Sequence, residues 1–298
     1  MAKPGLTLHR LELFLAVLEA GGVGRAARAR HLSQPAVSEH LRGLGAYFGL
    51  ALFERVGRGV RPTAAARLLE PYARQVLGLL RGAGRAAEEL RGLRAGAVAI
   101  GASTTPGTYL LPAMLGRFRR QHPALAVILR IGDTRDIERW VAGGEIELGV
   151  VGEAPLLPGL VTERWVTDEL VVITHRSHRL ARRRSVAPGA LALEPYIARE
   201  EGSSTRGVAE RYLAQHDVTL KPAMELGSTE AIREAVAAGL GIAVVSRHAL
   251  RARDPRVVAL RLAGRRWVRD LLLARRAGAP LSPSVERLRE FLLRQADA

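Results

Sequence analysis

The sequence predicts a helical N-terminal domain with a short β-hairpin and a long helix, followed by an α/β domain. Three observations carry that prediction. Apolar residues recur every three or four positions from Thr7 into the nineties. A Ser-Gln-Pro sequence at residues 33–35 and a glycine-rich, arginine-flanked stretch near residue 57 punctuate that pattern. After Gly96 it gives way to short apolar strands alternating with helices.

The first helix is expected from Thr7 to Ala20, with Leu8, Leu11, Phe14, Leu15, Val17 and Leu18 at helical spacing and Gly21-Gly22 ending it. A short second helix follows from Gly24 to His31, where Ala26, Ala27 and Ala29 are small enough for close packing. Leu32 enters a turn, and Ser33 is placed to cap a third helix whose first turn tolerates Pro35. On that helix Val37, Leu41, Leu44 and Phe48 form the expected buried face. Gln34, Pro35, Ser38, Glu39 and Arg42 lie on the exposed side.

Gln pairs with adenine edges, Arg with guanine edges or phosphate, and Ser with either, so this face suits the major groove of double-stranded DNA. Residues 52–63, Leu52 through Gly57-Arg58-Gly59 to Thr63, read as a hairpin whose Arg55 and Arg58 reach for phosphate. Helix, turn, polar helix and basic hairpin in that order define a winged helix-turn-helix at residues 1–62. Gly22-Val23-Gly24-Arg25-Ala26-Ala27 mimics a dinucleotide-binding fingerprint, but the segment before it has helical rather than strand spacing.

Residues 63–94 form a linker helix. Leu69, Val76, Ala83 and Leu90 make one seven-residue series, and Tyr72, Leu79, Ala86 and Leu93 a second, which together define a dimerising coiled-coil seam. The alternative is a helix packed on its own domain, since Gly78, Gly82 and Gly84 weaken it as a free rod.

Charge alone fits either a polyanionic partner or an Arg-biased composition that scatters solvated charges: the formal net charge is +16, from 43 Arg and two Lys against 29 acidic residues. Residues 1–95 hold 15 basic and 7 acidic side chains, the remaining 203 hold 30 and 22, so the N-terminal third has the denser positive field. The absence of cysteine excludes disulfides, thiolate metal sites and thiol redox sensing. The N-terminus lacks a signal-peptide pattern and no apolar run reaches membrane-spanning length, which predicts a cytoplasmic protein without a membrane partner.

The segments Phe14-Leu15-Ala16-Val17, Ala26-Ala27, Leu32 to Ser38 and Leu52-Phe53-Glu54-Arg55, with Arg58, resemble the LysR-type transcriptional regulators. The resemblance continues along the whole chain. It implies a DNA-binding regulator, a homodimer or dimer of dimers, with an effector-binding domain at 95–298 of the two-lobed periplasmic-binding-protein type. Lobe I is expected at about 95–165 and 268–298, lobe II at about 168–262. Three positions depart from the family pattern: Gly24 replaces a capping Ser or Thr, Glu39 a basic residue, and Gly45 a Glu.

In this second domain, strands are expected at Ala97–Gly101, Val127–Ile131, Leu148–Val151, Leu170–Thr174, Met224–Gly227 and Ile242–Val245, with a C-terminal helix near Ser284–Arg294. The family fold adds two strands crossing between lobes, placed at Glu163–Thr167 and Leu262–Val268. Three strand ends run into hydroxyl-rich turns: Ser103-Thr104-Thr105, Ser203-Ser204-Thr205-Arg206, and Ser228-Thr229. Helix N-termini, hydroxyls and Arg206 suit a small anionic metabolite, although each turn also serves as an ordinary helix cap. Under the family fold they converge in the interlobe cleft, and no cofactor is expected. Residues 199–206 and 235–244 look like the branch regulating carbon-fixation operons, with sulfur-assimilation regulators also similar.

His175 and His178 lack acidic neighbours in sequence and read as a solvated loop rather than a metal site. No hydrolase or metalloprotease motif is present and Ser203 has no evident base, so no enzyme is expected. A two-lobed solute-binding protein shares the α/β pattern but not the N-terminal motif. An enzyme fused to a DNA-binding module shares the motif but lacks a catalytic constellation.

Overall fold

The computed structural model describes residues 5–57, 59–90, 97–153, 157–250 and 254–296. The chain divides into two compact units, residues 1–87 with 142–145 and the remainder.

In the N-terminal unit, helix α1 (Leu8–Ala20) starts where the Thr7 hydroxyl accepts from Arg10 N–H and ends at Gly21, which takes φ +63°. Helix α2 (Val23–Ala29) follows directly, so a helix precedes Gly22 and the dinucleotide-binding pattern has no strand to follow. Helix α3 (Gln34–Phe48) is capped by Ser33, whose hydroxyl accepts from Ala36 N–H at 3.3 Å, and Pro35 sits in its first turn. Strands β1 (Phe53–Val56) and β2 (Gly59–Pro62) form the hairpin. Thr63 donates to the Ala51 carbonyl at 2.7 Å and accepts from Ala66 N–H at 3.2 Å, which ties the hairpin to the start of helix α4 (Ala64–Leu90).

Leu11, Phe14 and Leu15 of α1 pack with Ala26 and Ala27, with Val37, Leu41 and Leu44, and with Ala66, Ala73 and Leu77 of α4. Burying a Leu or Phe side chain contributes roughly 1.5–3 kcal/mol, so this small core is held chiefly by three helices converging on α1. Phe48 departs from its expected place: it is exposed and meets Tyr47 edge-on at 5.0 Å. As the last residue of α3, it lies beyond the core where the chain turns at Gly49.

The second unit contains β3 (Ala97–Ser103), α5 (Leu111–Gln121), β4 (Ala126–Gly132), α6 (Thr134–Ala142), β5 (Leu148–Val151) and β6 (Leu160–His175). It continues with β7 (Tyr196–Arg199), α7 (Ser204–Ala214), β8 (Pro222–Leu226), α8 (Thr229–Ala237), β9 (Ile242–Ser246), β10 (Val257–Ala259), β11 (Trp267–Arg276) and α9 (Pro283–Ala296). The strands join in the order β4-β3-β5-β11-β6-β9-β7-β8, with β10 alongside β6. Parallel pairings lie at both ends of this order, and the antiparallel pair β6–β11 runs through its centre.

At about 3.3 Å per residue, the 16-residue β6 is long enough to serve both lobes. It absorbs the two strands expected at Glu163–Thr167 and Leu170–Thr174, because the polar stretch between them still keeps ladder pairing with β11. The second crossing strand is Trp267–Arg276 rather than Leu262–Val268. Leu262 pairs instead with Val186, and Gly264, at φ +91°, turns the chain before β11 begins. The short, fully buried strand β7 was not expected from sequence.

Lobe I packs Val98, Ile100, Phe118, Leu148 and Trp165 against Leu288 and Phe291 of α9. In lobe II, Leu170, Val172, Val244 and Trp267 of the sheet pack with Leu213 of α7, while Ile173, Ile197 and Val245 pack with Ile232 of α8.

Candidate nucleic-acid interface and interlobe cleft

Helix α3 buries Val37, Leu41 and Leu44 and thereby turns its other side outward. Gln34, Pro35, Glu39 and Arg42 are exposed and Ser38 is half-buried. With Glu54 and Arg55 of the hairpin, Gln34, Pro35, Ser38 and Arg42 line a groove of about 760 Å³. Gly24 has a specific use here: a Cβ at that position would come within 2.9 Å of the Gln34 amide, so the Gln34 side chain occupies space that a Ser or Thr would take. Arg61 of the hairpin is paired with Glu54 at 2.7 Å, whereas Arg42 and Arg55 make no ion pair among the described residues. Arg58 lies outside the described residues.

On α4, Ala66, Ala73 and Leu77 face the core, and Tyr72, Val76 and Leu79 are exposed along the other side. Leu69 is partly buried against the core. The Leu90 side chain and Leu93 lie outside the described residues.

The second unit brings two of the three hydroxyl clusters together. Ser103, Thr104 and Thr105 at the end of β3 face Ser203, Ser204 and Thr205 at the start of α7, with Thr134 and Arg199 between them. Only about 10 Å³ of free space remains among these groups, about one water molecule. Two buried guanidinium groups span the gap. Arg199 donates to Thr104 at 3.4 Å and to Thr229 at 3.1 Å, and pairs with Glu200 at 2.6 Å. Arg269, on β11, donates to Thr105 at 3.2 Å, to Ser204 at 2.7 Å and to Asp168 at 2.9 Å.

Asp168, fully buried on β6, also accepts from Ser246 at 2.5 Å. Burial lowers the Arg269 pKa against the opposing pull of Asp168. The approach is close: a Cβ on Gly152 would overlap the Ser204 hydroxyl. Thr134 Oγ1, at the N-terminus of α6, is buried with no hydrogen-bond partner among the described residues.

Thr105 and Ser203 make no side-chain cap to their helices, so neither hydroxyl is committed to capping. Ser228 is committed: it accepts from Ala231 N–H at 3.3 Å, donates to Glu230 at 3.2 Å, and does not line the cleft. Arg206 is also absent from the cleft. Two residues on from Ser204, it is rotated by roughly 200° around α7, and it pairs with Glu210 and Glu225, each at 2.9 Å. Arg199, Arg269, Asp168 and Thr134 are the site residues that sequence reasoning missed.

Three further contacts join the lobes. Tyr109 donates to Glu230 at 2.8 Å, Arg211 pairs with Glu153, and Arg135 lies 3.9 Å from Glu201. Burial and the adjacent Glu230 push the Tyr109 phenol well above its ordinary pKa. His175 and His178 face different partners, Ser177 at 2.7 Å and Glu194 at 3.2 Å, so the loop does have an acidic neighbour, brought from outside the local sequence. Among the described residues no group of three or more metal-ligating side chains forms, and no helix is long and apolar enough to cross a membrane.

A winged helix-turn-helix joined to a two-lobed α/β domain with a polar cleft defines a ligand-responsive transcription regulator. The chain belongs to the LysR family: residues 8–67 match the bacterial regulatory helix-turn-helix protein, lysR family, and residues 91–297 match the LysR substrate binding domain. It is 34% identical over 288 residues to a RuBisCO operon transcriptional regulator of Acidithiobacillus ferrooxidans, covering 96% of this chain and 93% of that protein. A RuBisCO operon transcriptional regulator of Allochromatium vinosum is 33% identical, covering 98% and 97%. The CcmR regulatory domain of Synechocystis PCC6803, solved in complex with 2-PG, is 30% identical with a TM-score of 0.64, covering 67% of this chain and 97% of that one. Full-length OxyR from Pseudomonas aeruginosa, 23% identical with a TM-score of 0.71 and covering 97% and 95%, shares the fold.

Proposed function

We propose that this regulator senses a small anionic metabolite in the interlobe cleft and converts its binding into a change in how the dimer, or dimer of dimers, grips and bends promoter DNA. The observation that carries the reading is the pair of buried guanidiniums, Arg199 and Arg269, which donate to hydroxyls of both lobes across a nearly closed gap. An anion offers stronger acceptors than hydroxyls do. The Ser203 hydroxyl, which caps no helix, and the orphaned Thr134 hydroxyl add donors around it.

A carboxylate- or phosphate-bearing ligand is larger than the free space of about 10 Å³, so it enters only as the lobes part. Binding and lobe spacing are thereby linked, which is the differential affinity that a switch requires. The 2-PG bound to the related CcmR domain supports a small ligand of this kind here.

On the DNA side, Gln34, Pro35, Ser38, Glu39 and Arg42 face bases, and Arg55 and Arg58 serve phosphates. Tyr72, Val76 and Leu79, with Leu69 and Leu90, form the dimer seam. A gel-shift or footprint on the protein's upstream DNA, with and without 2-PG and other small anions, tests the reading. The expected result is an anion-dependent change in mobility or footprint that is lost in Thr104→Val/Ser204→Ala. DNA binding indifferent to every anion overturns it.

A further inference from the structure

Lobe II carries a second basic concavity that the interlobe cleft does not use. Strand β6, the end of β9 and the turn from β10 into β11 enclose about 730 Å³, lined in part by Glu169, Arg247, Arg261, Arg265, Arg266 and Trp267. The turn is held at several points. Leu260 N–H still donates to Val172 of β6 at 2.8 Å, and the chain rejoins β6 only where Trp267 pairs with Leu170. Between these points Val186 N–H donates to the Arg261 carbonyl at 2.9 Å, and Ala263 N–H donates back to Val186 at 2.8 Å.

Charge at this place is unbalanced. Its carboxylate, Glu169, is already taken by Arg247 at 2.7 Å and 2.9 Å, and that contact, with the nearby charge of Arg266, holds it below the ordinary carboxylate range against the effect of burial. Arg261, Arg265 and Arg266 are exposed and, among the described residues, make no ion pair or side-chain hydrogen bond, Arg266 acting on Glu169 only at longer range. Arg182, Arg183 and Arg184, just ahead of Val186 on the neighbouring segment, are exposed and likewise unpaired among the described residues. An Arg-rich sequence alone does not explain this, because Arg199, Arg206, Arg211, Arg256 and Arg269 each have a carboxylate. Like charges gathered within a Debye length, about 8 Å at physiological salt, repel and raise the local anion concentration.

We infer that this concavity is a second anion site, taking a small ligand with two or more clustered phosphate groups. Guanidinium forks match phosphate oxygens bidentately, and three forks beyond the Arg247–Glu169 pair exceed what one carboxylate can satisfy. The cavity lies within the roughly 300–1,000 Å³ range of small-molecule sites. Leu170, Leu260 and Trp267 give it apolar lining beside the charges. A DNA duplex presents its phosphates on a convex surface and does not enter such a hollow.

The test is calorimetric titration of the full chain with inorganic pyrophosphate at fixed ionic strength. It compares the unmodified protein, Arg265→Ser/Arg266→Ser, and the cleft variant Thr104→Val/Ser204→Ala. Pyrophosphate is expected to bind the unmodified protein and the cleft variant alike, and at least tenfold more weakly to Arg265→Ser/Arg266→Ser. The substituted arginines are exposed, so an unchanged melting midpoint without ligand checks the fold, and Arg265→Lys/Arg266→Lys recovers part of the affinity. The inference is overturned if pyrophosphate fails to bind, or if its binding survives in Arg265→Ser/Arg266→Ser and is lost in the cleft variant. It is equally overturned if Arg265→Ser/Arg266→Ser weakens only DNA binding, which makes the patch a nucleic-acid surface. Loss of anion response at the promoter with this titration intact sinks the cleft reading alone.

Discussion

The two regions proposed to bind ligands use arginine in opposite ways. At the groove proposed to face DNA, Arg42 and Arg55 stand exposed without carboxylate partners among the described residues, so their charge is available to any phosphate that approaches. In the interlobe cleft, Arg199 and Arg269 are each 4% exposed and already committed to a carboxylate and to hydroxyls of both lobes. Exposed charge gives long-range, salt-sensitive attraction, whereas buried charge gives geometry fixed in advance at the cost of desolvation. The contrast predicts that single substitutions damage the cleft through folding and the DNA face through affinity.

The sharpest break of that contrast is Arg269→Met. It leaves the fully buried Asp168 with Ser246 as its remaining partner. Removing one member of a buried pair costs about 3–5 kcal/mol, measurable as a lowered urea midpoint. The double change Arg269→Met/Asp168→Leu is expected to recover most of that loss, because the uncompensated charge is gone. Equal destabilisation of single and double variants removes the ion pair from the account.

The next effect concerns assembly. Val76→Glu/Leu79→Glu places charge on the exposed side of α4 while Ala66, Ala73 and Leu77 keep its other side in the core. Light scattering is expected to show monomers, with folding retained by circular dichroism. Losing two buried aliphatic side chains per protomer removes roughly 3–6 kcal/mol from each half of the seam. A dimer that survives the double change places the seam elsewhere.

Why these regions differed in legibility follows from the same contrast. Helix α3 is written locally: Ser33 caps it, Pro35 fits its first turn, and Val37, Leu41 and Leu44 repeat at helical spacing. The hydroxyls of the cleft were legible because strand-to-helix turns place them. The partners that organise them were not, since Arg269 and Asp168 are 101 residues apart and meet only through the pairing of β6 with β11. In sequence Asp168 stands beside Glu169, and Arg269 beside Asp270, so nothing marks one of each pair as buried. Arg206 misled because chain proximity to Ser204 ignores rotation around α7.

At the DNA face the effects are smaller and of another kind. Arg55→Ala is expected to weaken binding to specific and random duplexes alike and to reduce the salt slope by about one unit. Gln34→Ala is expected to relax base preference, worth about 1–3 kcal/mol of discrimination, with little change on random DNA. Salt-titrated fluorescence anisotropy separates the two. Equal losses on both duplexes for Gln34→Ala assign that side chain to packing against Gly24 rather than to base reading.

The smallest effect sharpens the cleft side. Tyr109, from lobe I, lies against the lobe II core and donates to Glu230 of α8 at 2.8 Å. Burial pushes the Glu230 pKa up, but the bonds from Tyr109 and Ser228, the Glu230 backbone N–H and nearby Arg233 outweigh it and hold the carboxyl below its ordinary 4.5. A carboxylate with a depressed folded-state pKa contributes fully above the unfolded value, and its contribution fades as pH falls through the folded one. Tyr109→Phe is therefore expected to cost about 0.5–1.5 kcal/mol at neutral pH, with the difference from the unmodified protein shrinking below about pH 4.5 as Glu230 protonates. Since the same bond joins the lobes, its loss also favours their parting and is expected to raise apparent anion affinity modestly. Urea melts across pH, paired with anion titrations at neutral pH, read both consequences. Lower stability with unchanged anion affinity makes the bond a fold contact rather than part of the closure.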